Sequence, residues 1–427
     1  MKKIIALVLA LVMLASMASV SFASEEKPDI AGSTITAMVL QSQYIQQLQD
    51  MVFKFEEEYD VFFDVTVVPD EQFIPKLEML VANGEMPDVV QYNSPMIYNV
   101  LDAEEVLYDF SDEPWVAKLV APEVTQLDGK SYCFPLKATT GYHAIIYNKA
   151  LFKELGLTVP TTPDEFNKVC EAIKTAGKTP IFLTSDMWVP QIFTSSGFAR
   201  AFGTEAAAAE ATDKILSGEV KFSEVPELVA VLDDVLRLRD AGYFNEDLAT
   251  LKWDDAWGQL VAGEGAMIYG EGPMVGQFQV VYPDAEFGVF NYPAPYDPEV
   301  QYLSGAIFTS SFVTGKNCKN IEAVKAMYNA FSTPEYLEIY FGGSNAGFPA
   351  FKGVSGGEMH PEVAALFAEY TGDKMVNEMN LHWAIMEPLF SDYLWRYYAE
   401  ALNDKDMTSV ELLDKFQEDF DKFMDNL

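Results

Sequence analysis

Few side chains in this sequence are spaced for bond-making chemistry. The three histidines, His143, His360 and His382, stand far apart, as do the three cysteines, Cys133, Cys170 and Cys318. No paired cysteine spacing exists, so no zinc site and no disulfide framework are expected, and an odd count allows one bridge at most. No Gly-x-Ser-x-Gly elbow, phosphate loop or His-Glu-x-x-His helix is expected, and no cofactor either. The 65 acidic residues outnumber the 28 basic ones, and a formal net charge of −37 repels polyanions, which excludes nucleic acid as a partner. Glycoside hydrolysis needs two carboxylates at a set separation. With so many acids, composition alone always offers such a pair, so a secreted glycoside hydrolase stays open as an alternative.

The elements that hold the remaining polar and aromatic residues follow from hydrophobic spacing. Ile35 to Leu40 reads as a buried strand, Tyr44 to Tyr59 as an amphipathic helix and Val61 to Val68 as a second strand. A helix from Glu71 to Asn83 stops at Gly84 and leads to a strand from Asp88 to Tyr92. That alternation predicts a parallel sheet covered on both faces. A second α/β region begins near Gly141, with strands at His143 to Tyr147, Ile181 to Thr184, Ala266 to Tyr269, Phe287 to Phe290 and Ala306 to Ser310. Thr162-Pro163-Asp164-Glu165 and Thr408 to Glu411 read as capping boxes. The length suits two domains of roughly 150 to 200 residues each.

The start has its own logic. Lys2 and Lys3, an apolar run from Ile4 to Leu14 and Ser21-Phe22-Ala23 form the pattern of a secretory signal peptide, residues 1–23, cut after Ala23. The first cysteine is Cys133, so no lipid anchor on an N-terminal cysteine is expected. No later stretch is apolar enough to span a bilayer. The mature chain is therefore expected to be exported, soluble, and periplasmic or extracellular.

Ligands of open α/β sheets bind beyond the carboxyl ends of the strands. Gln41, Gln43 and Tyr44 follow the first strand, and amides beside an aromatic ring offer the donors and acceptors that sugar hydroxyls need; they also suit a helix start. Tyr92, Asn93 and Ser94 follow the third strand, where Asn93 could instead cap a helix before Pro95. Trp188 lies after a strand of the second region. Trp253 and Trp257 are one helical turn apart, so one of them packs inward and Trp253 is the expected exposed one. Glu271 either accepts hydroxyl protons or is solvated on a turn.

Four stretches, in order, carry a family likeness: Phe55-Glu56-Glu57-Glu58-Tyr59, Met86-Pro87-Asp88-Val89-Val90, Ile146-Tyr147-Asn148-Lys149 with Leu151-Phe152, and Gly263-Glu264-Gly265-Ala266-Met267. The chain resembles the bacterial extracellular solute-binding proteins of sugar ABC transporters, the group that includes maltose-binding protein. The resemblance implies an α/β, two-lobe periplasmic-binding-protein-like fold with a ligand cleft between lobes joined by a multi-crossover hinge. It places lobe 1 at 24–140 and 291–334 and lobe 2 at 141–290 and 335–427, with crossings near Ala138 to Tyr142, Phe290 to Pro293 and Ser332 to Glu335. It implies a non-catalytic monomer that closes on a carbohydrate and delivers it to permease subunits in the membrane. A polyamine or ferric ion in the same fold is the other ligand reading. By the same resemblance Tyr142 and His143 stand where relatives place a polar contact, with a buried strand position as the other reading of His143. Trp188 falls in the segment of an aromatic platform, and Met274 replaces the tryptophan of a Gly-Pro-Trp turn, which weakens the case for a long maltodextrin. Gly305, Asn345 and Trp383 complete the candidate set.

Overall fold

The computed structural model describes residues 28–425 apart from 95, 121, 123, 124, 140, 187, 298–300, 307, 308, 344, 345, 371–373 and 378–392. The chain begins β1 (Thr34–Leu40), α1 (Gln46–Tyr59), β2 (Phe62–Val68), α2 (Asp70–Ala82), β3 (Val89–Ser94), the expected alternation. Helix α1 forms because Leu48, Met51 and Phe55 recur on one face and are buried together, and it stops where Asp60 takes a left-handed φ of 53°. β2 and β3 flank β1 in parallel. Strand β4 (Cys133–Pro135) follows, then β5 (Lys137–Thr139) leads into β6 (Gly141–Asn148).

From there the chain adds α3 (Pro163–Thr175), β7 (Thr179–Phe182), α4 (Trp188–Phe202), α5 (Pro226–Asp240), α6 (Trp253–Val261), β8 (Gly265–Glu271), α7 (Met274–Val281), β9 (Phe287–Phe290) and β10 (Leu303–Ala306). The Thr162 hydroxyl accepts from the Glu165 backbone N–H at the start of α3, while the Glu165 carboxylate reaches back to Thr161 rather than to Thr162 itself. Strand β11 (Thr309–Val313) opens the return segment, followed by α8 (Ile321–Phe331), α9 (Pro334–Tyr340), β12 (Phe348–Pro349), α10 (Pro361–Glu369), β13 (Met375–Asn377), α11 (Trp395–Asn403) and α12 (Ser409–Met424), which carries the full Thr408–Glu411 capping box.

Among the described residues two large sheets and a small ribbon result. The first runs β2-β1-β3-β11-β4, the second runs β13-β10-β6-β8-β7 with β9 also on β6, and β12 pairs with β5. Each large sheet has its own core. Phe110, Trp115, Phe134 and Tyr328 pack under the first, with the Phe134 and Tyr328 rings stacked 4.7 Å apart. Phe166, Phe193, Tyr269 and Tyr292 pack under the second.

The cores divide the chain differently from the expected boundaries. Tyr292 and Ala294 belong to the second core, so the chain does not leave it near Phe290 to Pro293 but after β10. Tyr336, Leu337, Tyr340, Phe341, Ala350 and Phe351 belong to the first core, so the last crossing follows Phe351 rather than Ser332 to Glu335. The strand expected at Ala306 to Ser310 is instead the junction of β10 and β11, which lie in different sheets. All three cysteines are free thiols.

The segment between β9 and β10 is pinned from α4. Arg200 is fully buried; its Nε and Nη2 donate to the Asp297 carboxylate at 3.0 and 2.5 Å, and Nη2 also donates to the Tyr292 carbonyl at 2.7 Å. A buried pair adds little over a packed apolar pair, but one partner left alone is costly. We expect Arg200→Met to lose about 3–5 kcal/mol of unfolding free energy by denaturant titration, and Arg200→Met with Asp297→Leu to lose much less. Equal losses in the two variants would contradict this account.

Candidate functional site

The strand directions bring both sheets' polar edges to the same place. β1 and β3 are parallel and end on one edge; β11 starts there, with Thr309 opposite Ser94, and β4 ends there, with Pro135 opposite Ser311. In the second sheet β8 ends with Glu271 opposite His143, and β10 ends with Ala306 opposite Gly141. The chain therefore leaves the first edge at Pro135 to begin the second at Gly141, and leaves the second edge at Ala306 to re-enter the first at Thr309. Only two residues separate β10 from β11. Three peptide units span at most about 11 Å, so at that point the two edges are neighbours.

On the first edge, Gln41 and Gln43 form a single 3₁₀ turn directly after β1. The Gln43 side-chain N–H donates to Asn93 Oδ1 at 2.8 Å, which joins two expected site residues 50 positions apart. Gln43 Oε1 is buried with no hydrogen-bond partner among the described residues. Asn93 lies within β3, not at a helix cap. Tyr92 stacks on Phe73 at 5.4 Å, and Tyr44 packs against the first core. Ser94 is fully buried, its hydroxyl 2.7 Å from that of Ser311, so it ties β3 to β11 beneath the edge.

On the second edge, Trp188 opens α4 and is 37% exposed. Trp253 stands beside it, ring centroids 4.5 Å apart and planes tilted by 60°. Trp257 is fully buried and stacks on Phe278 at 3.7 Å, and Trp253 leans on both. The tilt means that the exposed Trp188 ring and the half-buried Trp253 ring form a corner rather than one flat strip. Asp186 holds the corner together, since its carboxylate accepts the Trp253 backbone N–H at 2.8 Å across 67 positions. Helix α6 has no capping residue of its own, Lys252 standing at the cap position. A helix start without Ser, Thr, Asp or Asn before it was the signal for a distant cap. Met274 opens α7, half-buried, immediately past Gly272 and Pro273.

Tyr142 is half-buried at the start of β6, its ring against Phe348 and Phe367. Gly305 lies opposite it in β10, where a Cβ would come within 2.5 Å of the Tyr142 ring. Gly305 thus makes room for Tyr142 rather than offering a side chain. Asn345 and Trp383 lie outside the described residues. The Gly-x-Ser-x-Gly spacing does occur once, at Gly353-Val354-Ser355-Gly356-Gly357. It sits on the loop between β12 and α10 with Ser355 exposed, without the strand-to-helix turn that a nucleophile needs. Among the described residues, no group of three or more His, Cys, Asp or Glu side chains could hold a metal ion.

Two lysines near these edges have partners. Lys137 Nζ lies 5.7 Å from the Tyr340 ring, and Lys252 Nζ lies 3.8 Å from Asp186. His143 is buried in β6, a strand residue rather than a surface contact. Burial lowers its pKa from the ordinary 6.5 to about 4, against the opposing pull of the Glu271 charge. The unfolded chain takes up this proton below pH 6.5 and the folded chain resists it until about pH 4, so stability drains away as pH falls through that window. Relative to His143→Gln, wild type should lose up to about 3 kcal/mol between those limits. Stability curves that stay parallel over this range would contradict the assignment.

Comparisons with known proteins bear on the fold and the family. The family model described as bacterial extracellular solute-binding protein matches residues 50–368. The multiple sugar-binding protein of Streptococcus mutans is 27% identical over 380 residues, covering 84% of this chain and 85% of that one. Among solved structures, a chitin oligosaccharide binding protein superposes with a TM-score of 0.77 at 22% identity, covering 92% of this chain and 99% of its own. The solute-binding protein RafE in complex with raffinose gives 0.69 at 20% identity, covering 90% and 99%. These likenesses establish the two-lobe α/β fold, and the matched span establishes the lineage: the chain belongs to the bacterial extracellular solute-binding protein family.

Proposed function

We propose that this chain is the exported solute-binding component of a sugar ABC importer, which closes two lobes on a neutral carbohydrate and hands it unchanged to the membrane permease. The observation that carries this reading is the pairing of edges: amides Gln43 and Asn93 on one lobe, the Trp188–Trp253 corner on the other, joined by a two-residue connection. Amides supply donors and acceptors to hydroxyls, and an indole face covers the C–H face of a pyranose. A ligand held by both lobes binds the closed arrangement better than the open one, and that difference drives closure. Lys137 and Lys252 each already have a partner, which favours a neutral sugar over an anionic one. The names of similar proteins, a multiple sugar-binding protein, a chitin oligosaccharide binding protein and RafE in complex with raffinose, favour sugars over polyamines or iron. Residues 1–23 act as the cleaved signal peptide, the mature chain begins at Ser24 without lipid, and it works as a monomer.

A thermal-shift screen of the mature protein against neutral oligosaccharides, uronates, polyamines and ferric ion tests the ligand class. A true ligand at 100 to 1,000 times its Kd stabilises by about 2.7 to 4.1 kcal/mol. Stabilisation by polyamines or iron alone would overturn the sugar reading, and breakdown of a bound sugar would move the protein to the hydrolases. For the site itself, Trp188→Ala should weaken sugar affinity about ten- to a hundredfold, by analogy with bases stacked on aromatic rings. Its unfolding free energy should fall by less than the roughly 3–5 kcal/mol of a core tryptophan. Normal affinity with collapsed stability would place Trp188 in the core and not in the site.

A further inference from the structure

The rings of Tyr142, Phe348 and Phe367 form a closed triangle. Centroids are 5.6 Å apart for Tyr142 and Phe348, 5.2 Å for Tyr142 and Phe367, and 5.6 Å for Phe348 and Phe367. Their origins differ. Tyr142 and Phe367 pack against the second lobe's core, whereas Phe348 sits on β12, just before Ala350 and Phe351 of the first lobe's core. Among the described residues β12 pairs with β5 alone, the strand made by the first crossing between lobes. The ribbon is held to the first sheet, since the Leu136 N–H donates to the Ser310 carbonyl at 2.9 Å. Phe348 is therefore a side chain carried by the first lobe whose ring reaches two rings of the second, across the place where the chain crosses.

The contact is directional. The Phe348 ring meets the Tyr142 ring at 90°, the edge-to-face arrangement that aromatic quadrupoles favour. Gly305 closes another side of Tyr142, leaving that ring little freedom while Phe348 stays in place. We infer that Phe348 is a positioning residue that couples Tyr142 to the arrangement of the lobes: its ring sets where Tyr142 stands at the cleft edge, and lobe rotation has to slide this contact. Packed interfaces of this kind switch between discrete arrangements rather than deform smoothly. The effect on sugar affinity rests on the function proposed above; the effect on lobe arrangement does not.

The experiment uses the mature chain as wild type, Phe348→Ala and Phe348→Tyr. Three readouts are taken: small-angle X-ray scattering without ligand, melting temperature, and titration with raffinose. Phe348→Ala should change the ligand-free scattering curve and weaken raffinose binding about two- to tenfold, the scale of one aromatic pair, with the melting temperature close to wild type. Phe348→Tyr, which keeps the ring, should restore both. A ligand-free curve for Phe348→Ala that superimposes on wild type overturns the inference. So does a loss of binding that tracks a fall in melting temperature and is not restored by tyrosine, because that is what a merely structural role produces. If wild type does not bind raffinose, the scattering comparison alone decides the coupling, and the sugar reading fails separately.

Discussion

The two residues between β10 and β11 constrain everything that happens at the site. Each sheet has its own core, yet a connection this short obliges the end of a second-lobe strand and the start of a first-lobe strand to stay within about 11 Å. The link from β4 to β6 through β5 repeats the restraint a few residues away, and β12 lies along it. Polar residues at strand ends are common in α/β folds; here two such sets are tethered to one another. That tether turns two ordinary sheet edges into the walls of one cleft.

Much of the first lobe was legible because its hydrophobic spacing is simple. The order β1-α1-β2-α2-β3 follows from Ile35, Leu48, Phe55, Val68 and Phe73 falling at strand and helix periods, and all five are buried. Periodicity reports that a residue is buried, not which core buries it. Tyr292 and Leu337 are equally apolar whichever side they join, so the second and third crossings were misplaced by the sequence and placed by tertiary packing. The small and apolar run at Ala306 to Ser310 reads as one strand although it spans two sheets.

At the site the same limit applies. Position after a strand pointed to Gln43, Asn93 and Trp188, but not to the bond between the first two or to the partner that holds the third beside Trp253. Asp186 and Phe348 act through contacts 67 and 206 positions away in sequence, to Trp253 and Tyr142. Ser94 and His143 share the strand ends with half-buried Asn93 and Tyr142 but are themselves buried, in sheets covered on both faces where alternation gives no guidance. The aromatic corner shows how core and site are graded into each other, since buried Trp257 and Phe278 are the floor under half-buried Trp253, which in turn stands beside exposed Trp188.

The central claim is that one ligand is shared by both lobes and closes them. Small-angle X-ray scattering of the mature protein, with and without a saturating sugar that stabilises it against heat, tests this most directly. Closure about the tethered edges predicts a smaller radius of gyration in the liganded sample. A sugar that binds tightly while the scattering curve stays unchanged would contradict a site shared between the lobes.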